Sequence, residues 1–247
     1  MCFMAPDWAA PPRVRALSTQ RIGGVSAAPY ESLNLADHVG DAPDAVAENR
    51  RRLRTAAALP SEPVWLRQVH GTAVADLDAG EPAAAADAAY TRRSGRVCAI
   101  LTADCVPVLL AADDASVVAA AHAGWRGLAA GILESTIAAL GVAPRTLSAW
   151  LGPAIGPAHY EVGAEVRTAM IRADPDAAAA FAANARGRFM ADLSRIVRQR
   201  LCAAGLERIH GGTECTFEGA GRFYSHRRDG RSGRQATLIW LQGPPDR

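Results

Sequence analysis

The chain has 247 residues with 27 basic and 25 acidic side chains, and its formal charge of +2 gives no electrostatic hold on nucleic acid or an anionic membrane. Five scattered cysteines (Cys2, Cys98, Cys105, Cys202, Cys215) form no CxxC pair, which excludes a disulfide framework or a zinc ribbon and points to a reducing, cytoplasmic setting. Every basic residue is arginine, so Schiff-base lysine chemistry is excluded, and a single domain of this length needs no structural metal to be stable.

Residues 1–12 carry three prolines and little apolar pattern, which suggests a loose arm ahead of one domain over 13–247. Nothing in the first twelve residues resembles a secretory leader, and no 18-residue apolar run occurs. The first strand is expected near Val14. In Thr19–Ser26 two glycines beside Arg21 suit a turn that approaches a ligand or another strand. Asp41 to Leu59 reads as a helix capped by Asp41, with Pro43 in its first turn and Pro60 after its end. Val64 to Val69 reads as a strand delivering His70 at its C-terminal end.

Val97–Leu101, Val106–Leu110 and Ser116–Ala121 are short apolar runs between turn residues, as expected of central strands covered on both faces. Cys105 and His122 fall at their edges. Trp125 to Leu140 follows as a helix ended by Gly141, and Leu147 to Leu151 as another strand. Glu161–Arg172, Pro175–Asn184 and Asp192–Ala204 read as helices and Ala236–Leu241 as the last strand. Strands and helices alternate throughout, so the fold class is α/β or α+β around a mixed sheet.

Three segments carry chemistry: Arg67–Gly71, Leu101–Pro107 and Ala121–Gly127. Each sets a metal-capable side chain between a strand end and small residues, offering His70, Cys105 and His122. Two imidazoles and one thiolate match the three protein ligands of a catalytic zinc with an open fourth position. Taken singly, each residue type is more often structural, and separations of 35 and 17 residues carry no motif by themselves. A Cys105–His nucleophile pair, with His122 or His70 as its base, uses the same residues, and the two readings stay open. Asp104 is placed to act as a proton acceptor or a partner to a ligand, and Gln68 lies two residues from His70. Near the C-terminus Arg227, Arg228 and Arg234 are suited to holding an anionic co-substrate through bidentate contacts.

Arg21–Ser26, Ser32–Leu35 with His38–Asp41, Gln68–Gly71, Ala103–Pro107, His122–Gly127, Gly152–Gly156 with Tyr160–Gly163, and Phe223–Arg228 together resemble the laccase-domain proteins. That family is also called the multicopper polyphenol oxidoreductase or peptidoglycan editing factor family. The resemblance spans nearly the whole chain in family order. It implies a single four-layer domain of two packed mixed sheets flanked by helices, similar to the catalytic domain of deamidating bacterial toxins. It also implies zinc, with copper as a substitute, at His70, Cys105 and His122, and small-molecule substrates bound with help from Arg21, Asn34, Gln68, Arg126, Arg227, Arg228 and Arg234.

Three activities are attached to that family. Laccase chemistry ranks last, because it needs several histidine-rich copper sites and this chain has six histidines, of which His38, His159, His210 and His226 read as isolated. Phosphorolysis of adenosine, inosine, guanosine and methylthioadenosine, with adenosine deamination, ranks first. The HxE and PCxxC signature of the familiar zinc nucleobase deaminases is absent, and Asp104 is the expected general base. Hydrolysis of a nucleotide-linked muramic acid precursor carrying L-serine ranks second, and a non-enzymatic binding module third.

Overall fold

The computed structural model describes residues 2–80 and 85–243; Met1 and residues 244–247, the ends of the expected arm and domain, lie outside the described residues. Two mixed sheets lie face to face. One has five strands in the order Phe3–Met4, Val14–Thr19, Gln235–Leu241, Val97–Thr102, Val64–Trp65. The other has six, in the order Arg208–Gly211, Leu147–Leu151, Val106–Ala112, Val118–Ala123, Ala88–Thr91, Val74–Asp76.

The alternation of side chains along each strand produces the layers. Cys98, Ile100 and Ile239 of one sheet and Leu109, Ala111 and Val118 of the other fill the space between the sheets. The intervening residues face outward. Val97, Ala99 and Leu238 meet Leu53 of the helix Pro43–Ala56, and Val108 and Leu110 share a core with Leu133 of the helix Ile132–Leu140 and Val197 of the helix Leu193–Ala203. The order helix, sheet, sheet, helix is the expected four-layer α/β architecture. Leu109→Ala, at a fully buried position between the sheets, is expected to cost about 2–5 kcal/mol by chemical denaturation.

Several elements differ from the sequence reading for identifiable reasons. Phe3–Met4 pairs antiparallel with Ser18 and Thr19, and Asp7 accepts a 2.8 Å hydrogen bond from the Trp150 indole, so the proline-rich arm is tied to the domain. Asp41 does not cap its helix: one carboxylate oxygen accepts from Ser26 and Asn34 instead. The expected strand before His70 ends at Trp65, because the amides of residues 69–71 turn toward a carboxylate.

Gly131, at φ 99°, splits the Trp125–Leu140 region into helices Trp125–Ala130 and Ile132–Leu140. Glu161–Val162 pairs with Phe189 and Met190, so the helix there starts only at Ala164. Pro175–Ala180 is a 3-10 turn and Phe181–Ala183 a strand, edge pairing having overridden alanine's helical preference. His122 lies inside the strand Val118–Ala123, opposite Pro107, rather than beyond its end. No helix among the described residues is long and apolar enough to cross a membrane.

Candidate metal centre

One end of the two central strands of the six-stranded sheet, Val106–Ala112 and Val118–Ala123, brings the three sequence-identified donors together. Ligand atoms of His70, Cys105 and His122 all lie within 4.8 Å of one another, and the two imidazole rings meet edge to face with centroids 4.7 Å apart. Cys105 occupies the tight turn between Val97–Thr102 and Val106–Ala112, and His122 comes from the neighbouring antiparallel strand. Gly124 closes the cradle. A Cβ there would stand 2.9 Å from His70 Cδ2 and 3.1 Å from Cys105 Sγ, so only glycine leaves the space between the donors open.

Asp87, which the sequence reading missed, organises both histidines. Its carboxylate accepts the amide N–H groups of Val69, His70 and Gly71 at 3.1, 2.9 and 2.7 Å, a small nest of successive amides that holds His70 at φ 60°. The same group lies 2.8 Å from His122 Nδ1, and its backbone carbonyl accepts from His122 N at 2.7 Å. Taking the proton on Nδ1 leaves Nε2 to face the thiol, the carboxylate–histidine pairing that orients metal ligands. Asp87 sits in an alanine-rich stretch, and its one sequence signal is an acidic residue placed directly before the apolar strand Ala88–Thr91.

The charges reinforce one another. Burial alone pushes the Cys105 thiol up, but the charge and hydrogen bond of His122, helped by His70, outweigh it and hold the thiol at about 6. Burial works against charged His122 too, yet the Cys105 thiolate and then Asp87 raise it to about 9. Asp87 stays below the usual carboxylate range, burial being overcome by His122 and the amides of Gly71 and Val69. The metal-free centre is therefore a thiolate–imidazolium pair at neutral pH, and the thiolate is lost as pH falls through about 6. Iodoacetamide alkylation of metal-free Cys105 is expected to follow that midpoint and to be blocked by zinc; a midpoint near the ordinary thiol value would contradict the pairing.

These donors fit a metal. A half-buried thiolate and two imidazoles, one fixed by a buried carboxylate and all facing a glycine that adds no side chain between them, match the donor types and number that three-ligand zinc sites use.

The remaining sequence-identified residues divide. Asp104, at φ 99°, accepts from the Thr216 hydroxyl and from Arg227 N, both at 2.7 Å, so each oxygen carries a hydrogen bond that ties that segment down. Gln68 clamps the backbone of Leu101 at both ends of its amide. Asn34 bonds Ala36, Asp41 and the amide of Arg234. Arg228 spends its guanidinium on the carbonyls of Thr216, Phe217 and Phe223 and on Asp229. Arg21 bonds the carbonyls of Glu31 and Ala220 and covers the Tyr224 ring. These four hold the scaffold.

Arg126, Arg227 and Arg234 stand differently. Arg227 uses only Nη1 in its described side-chain bond, to the Glu161 carbonyl, and lies over Tyr160. Burial raises the Tyr160 hydroxyl above its usual value; the negative charge of Cys105 adds to that while Arg227 and Arg126 oppose it, which gathers these residues around one ring. Arg234 spends Nη1 on Ser232 and on the Gly233 carbonyl, and burial lowers it against the pull of Cys105 and Asp104. From Trp125 and Arg126 an open groove of about 890 Å³ runs between the helices Trp125–Ala130 and Ala164–Ala173. Among the remaining histidines, His159 is not isolated: it sits with Cys215 and Glu218.

Comparison with known proteins agrees with this architecture. A purine nucleoside phosphorylase of Pseudomonas aeruginosa is 53% identical over 241 residues, covering 97% of this chain and 98% of its own length. The Escherichia coli protein named purine nucleoside phosphorylase YfiH is 52% identical with the same coverage. The crystal structure of a Neisseria meningitidis protein superposes with a TM-score of 0.93 at 45% identity, covering 98% of this chain and 99% of that one. YlmD from Geobacillus stearothermophilus gives 0.92 at 31% identity, covering 98% and 97%. The family model described as multi-copper polyphenol oxidoreductase laccase matches residues 15–242, a span that includes all three donors and Asp87. On that match, and on relatives similar from end to end, the chain belongs to the multi-copper polyphenol oxidoreductase laccase family.

Proposed function

We propose that the protein is a zinc-dependent purine nucleoside phosphorylase acting on adenosine, inosine, guanosine and methylthioadenosine, with adenosine deaminase activity at the same centre. The observation that carries this reading is the convergence of His70, Cys105 and His122 within 4.8 Å beside arginines with unused donors. Relatives 52–53% identical that bear the phosphorylase name support it. In phosphorolysis a phosphate oxygen bonds to ribose C1′ as the C1′–N9 bond breaks, and the purine leaves with the electron pair and takes a proton from water. Arg126, Arg227 and Arg234 hold and orient the phosphate dianion. Asp87 keeps His122 in one tautomer, and the hydrogen bond that Arg227 N donates to Asp104 fixes the arginine loop against the centre. Zinc, or copper in its place, supplies Lewis-acid stabilisation of developing negative charge when bound by His70, Cys105 and His122. Five free cysteines support a reducing cytoplasm as its location.

The test is incubation of zinc-loaded protein with adenosine and phosphate, followed by chromatography. Adenine with ribose 1-phosphate, and hypoxanthine-containing products from the deaminase activity, are expected; no turnover of any of the four nucleosides would overturn the reading. Arg227→Ala retains its backbone bond to Asp104 and is expected to raise the KM for phosphate roughly 10–100-fold, the equivalent of about 1.5–3 kcal/mol.

One observation favours a second reading. Cys105, His122 and Asp87 also form a thiol–imidazole–carboxylate relay, the arrangement of a cysteine nucleophile with its base and orienting acid. Such a centre suits hydrolysis of an amide, including the L-serine-linked cell-wall precursor. An acyl-enzyme on Cys105, trapped and seen by mass spectrometry with that substrate, would favour it over phosphorolysis.

A further inference from the structure

We propose that His159, Cys215 and Glu218 form a second transition-metal site, which takes zinc or a similar borderline divalent cation. Their ligand atoms all lie within 4.8 Å of one another, and Thr216, next to Cys215, donates its hydroxyl at 2.7 Å to Asp104, next to Cys105 of the first centre. The three donors come from two backbone segments that are themselves tied together. Ala154 bridges to Cys215, Thr216 N donates to the Ala154 carbonyl at 2.9 Å, and Ala154 N donates to the Glu214 carbonyl at 3.2 Å. A turn closed by Gly219 N on the Cys215 carbonyl, at 2.9 Å, folds Glu218 back over the sulfur.

Each donor is also oriented. The His159 ring stacks on Phe217 with centroids 4.3 Å apart and planes within 10°, and its Nε2 lies 2.9 Å from Glu218 Oε1. Gly156 N points at Cys215 Sγ from 3.3 Å, and a Cβ on Gly156 would come within 3.1 Å of that sulfur. The His159–Glu218 hydrogen bond accounts for two of the residues. It does not account for a half-buried sulfur in reach of both, with a backbone amide directed at it.

Imidazole, thiolate and carboxylate are each zinc ligands, and three of them leave a fourth position open. Zinc bonds of roughly 2.0–2.3 Å in tetrahedral geometry call for ligand separations of about 3.5 Å, so binding requires the exposed Glu218 side chain to shift, exchanging its 2.9 Å contact with His159 Nε2 for a shared ion while the longer separations shorten. The open side faces a cavity of about 470 Å³ that Cys215 and Glu218 line together with Arg195 and Arg198. A small anion or water there completes the coordination. Occupancy also clamps the segment carrying Thr216, whose hydroxyl holds Asp104 beside Cys105. The site is more exposed than the first and binds more weakly.

Wild-type protein saturated with zinc, desalted and measured by elemental mass spectrometry is expected to hold about two ions per chain. Cys105→Ser should keep the second ion, and Cys215→Ser or His159→Ala the first. Glu218→Gln alters only an exposed side chain, and a circular dichroism spectrum matching wild type excludes misfolding as the cause of its loss. In cobalt-loaded Cys105→Ser a thiolate-to-metal charge-transfer band should persist, and it should vanish in Cys105→Ser/Cys215→Ser. A single ion per chain at saturation, no such band in Cys105→Ser, or a second ion that survives both Cys215→Ser and Glu218→Gln would overturn the proposal. None of these readouts depends on phosphorylase activity.

Discussion

Cys105→Ser is expected to remove metal from the principal centre and, with it, nucleoside turnover. A serine hydroxyl stays protonated at neutral pH, whereas the thiol is already held near 6 by His122, so the substitution removes the one anionic donor of the set. The affinity loss should exceed the roughly 10–100-fold that follows loss of a residue merely supporting a ligand. The mutant should fold, because His122 and Asp87 retain their mutual bond and the glycine cradle gains rather than loses space. Equilibrium competition with a chromogenic chelator measures the affinity, and chromatography of adenosine reactions measures turnover. Retained zinc with abolished turnover would instead assign Cys105 as a nucleophile.

The second large effect is expected at Asp87, which binds no metal and would touch no substrate. One of its oxygens accepts from Val69 and Gly71, and the other from His70 and His122. Asp87→Asn sets an NH2 group against one of those pairs of donors in a fully buried position. Each unsatisfied buried group costs about 1–3 kcal/mol, so the melting temperature should fall. The loop holding His70 at φ 60° also loosens, and His122 loses its fixed tautomer. Zinc affinity is expected to drop about 10–100-fold, the usual cost of removing a ligand's supporting carboxylate. An affinity within twofold of wild type would show that the amide nest and His122 are positioned by something else. The pair also sets a pH window in the metal-free protein. The Cys105 contribution to stability is lost as pH falls through about 6, and that of raised His122 is lost as pH rises through about 9, so the interaction peaks between those values.

Much of this was legible in the residues because the physics is local. Val97–Thr102 and Val106–Ala112 are continuously apolar, and strands buried on both faces read that way whatever packs on them. His70, Cys105 and His122 stood out as metal-capable side chains beside small residues, and the fold brings their donor atoms within 4.8 Å of one another. Asp87 was not, since its importance lies in the loop that curls around it 16–18 residues earlier, a shape no spacing encodes. The arginines show the same limit. Arg227 and Arg228 are neighbours in sequence, yet one reaches over Tyr160 while the other is consumed by three carbonyls and an aspartate. Asp104 was assigned a proton-transfer role from its place beside Cys105. Its carboxylate also ties down Thr216 and Arg227, partners more than a hundred residues away that its place in the sequence does not reveal. Gly131 ended a helix that its neighbours' propensities would have carried through, because its left-handed backbone redirects the chain between two helices.

One metal ion is expected to sit among His70, Cys105 and His122. Anomalous diffraction at the zinc edge, from crystals of zinc-loaded protein, tests it most directly. The predicted result is a peak about 2.0–2.1 Å from one nitrogen of each imidazole and about 2.3 Å from the Cys105 sulfur. Anomalous density confined to other positions, with those three side chains turned away from a common point, would contradict it.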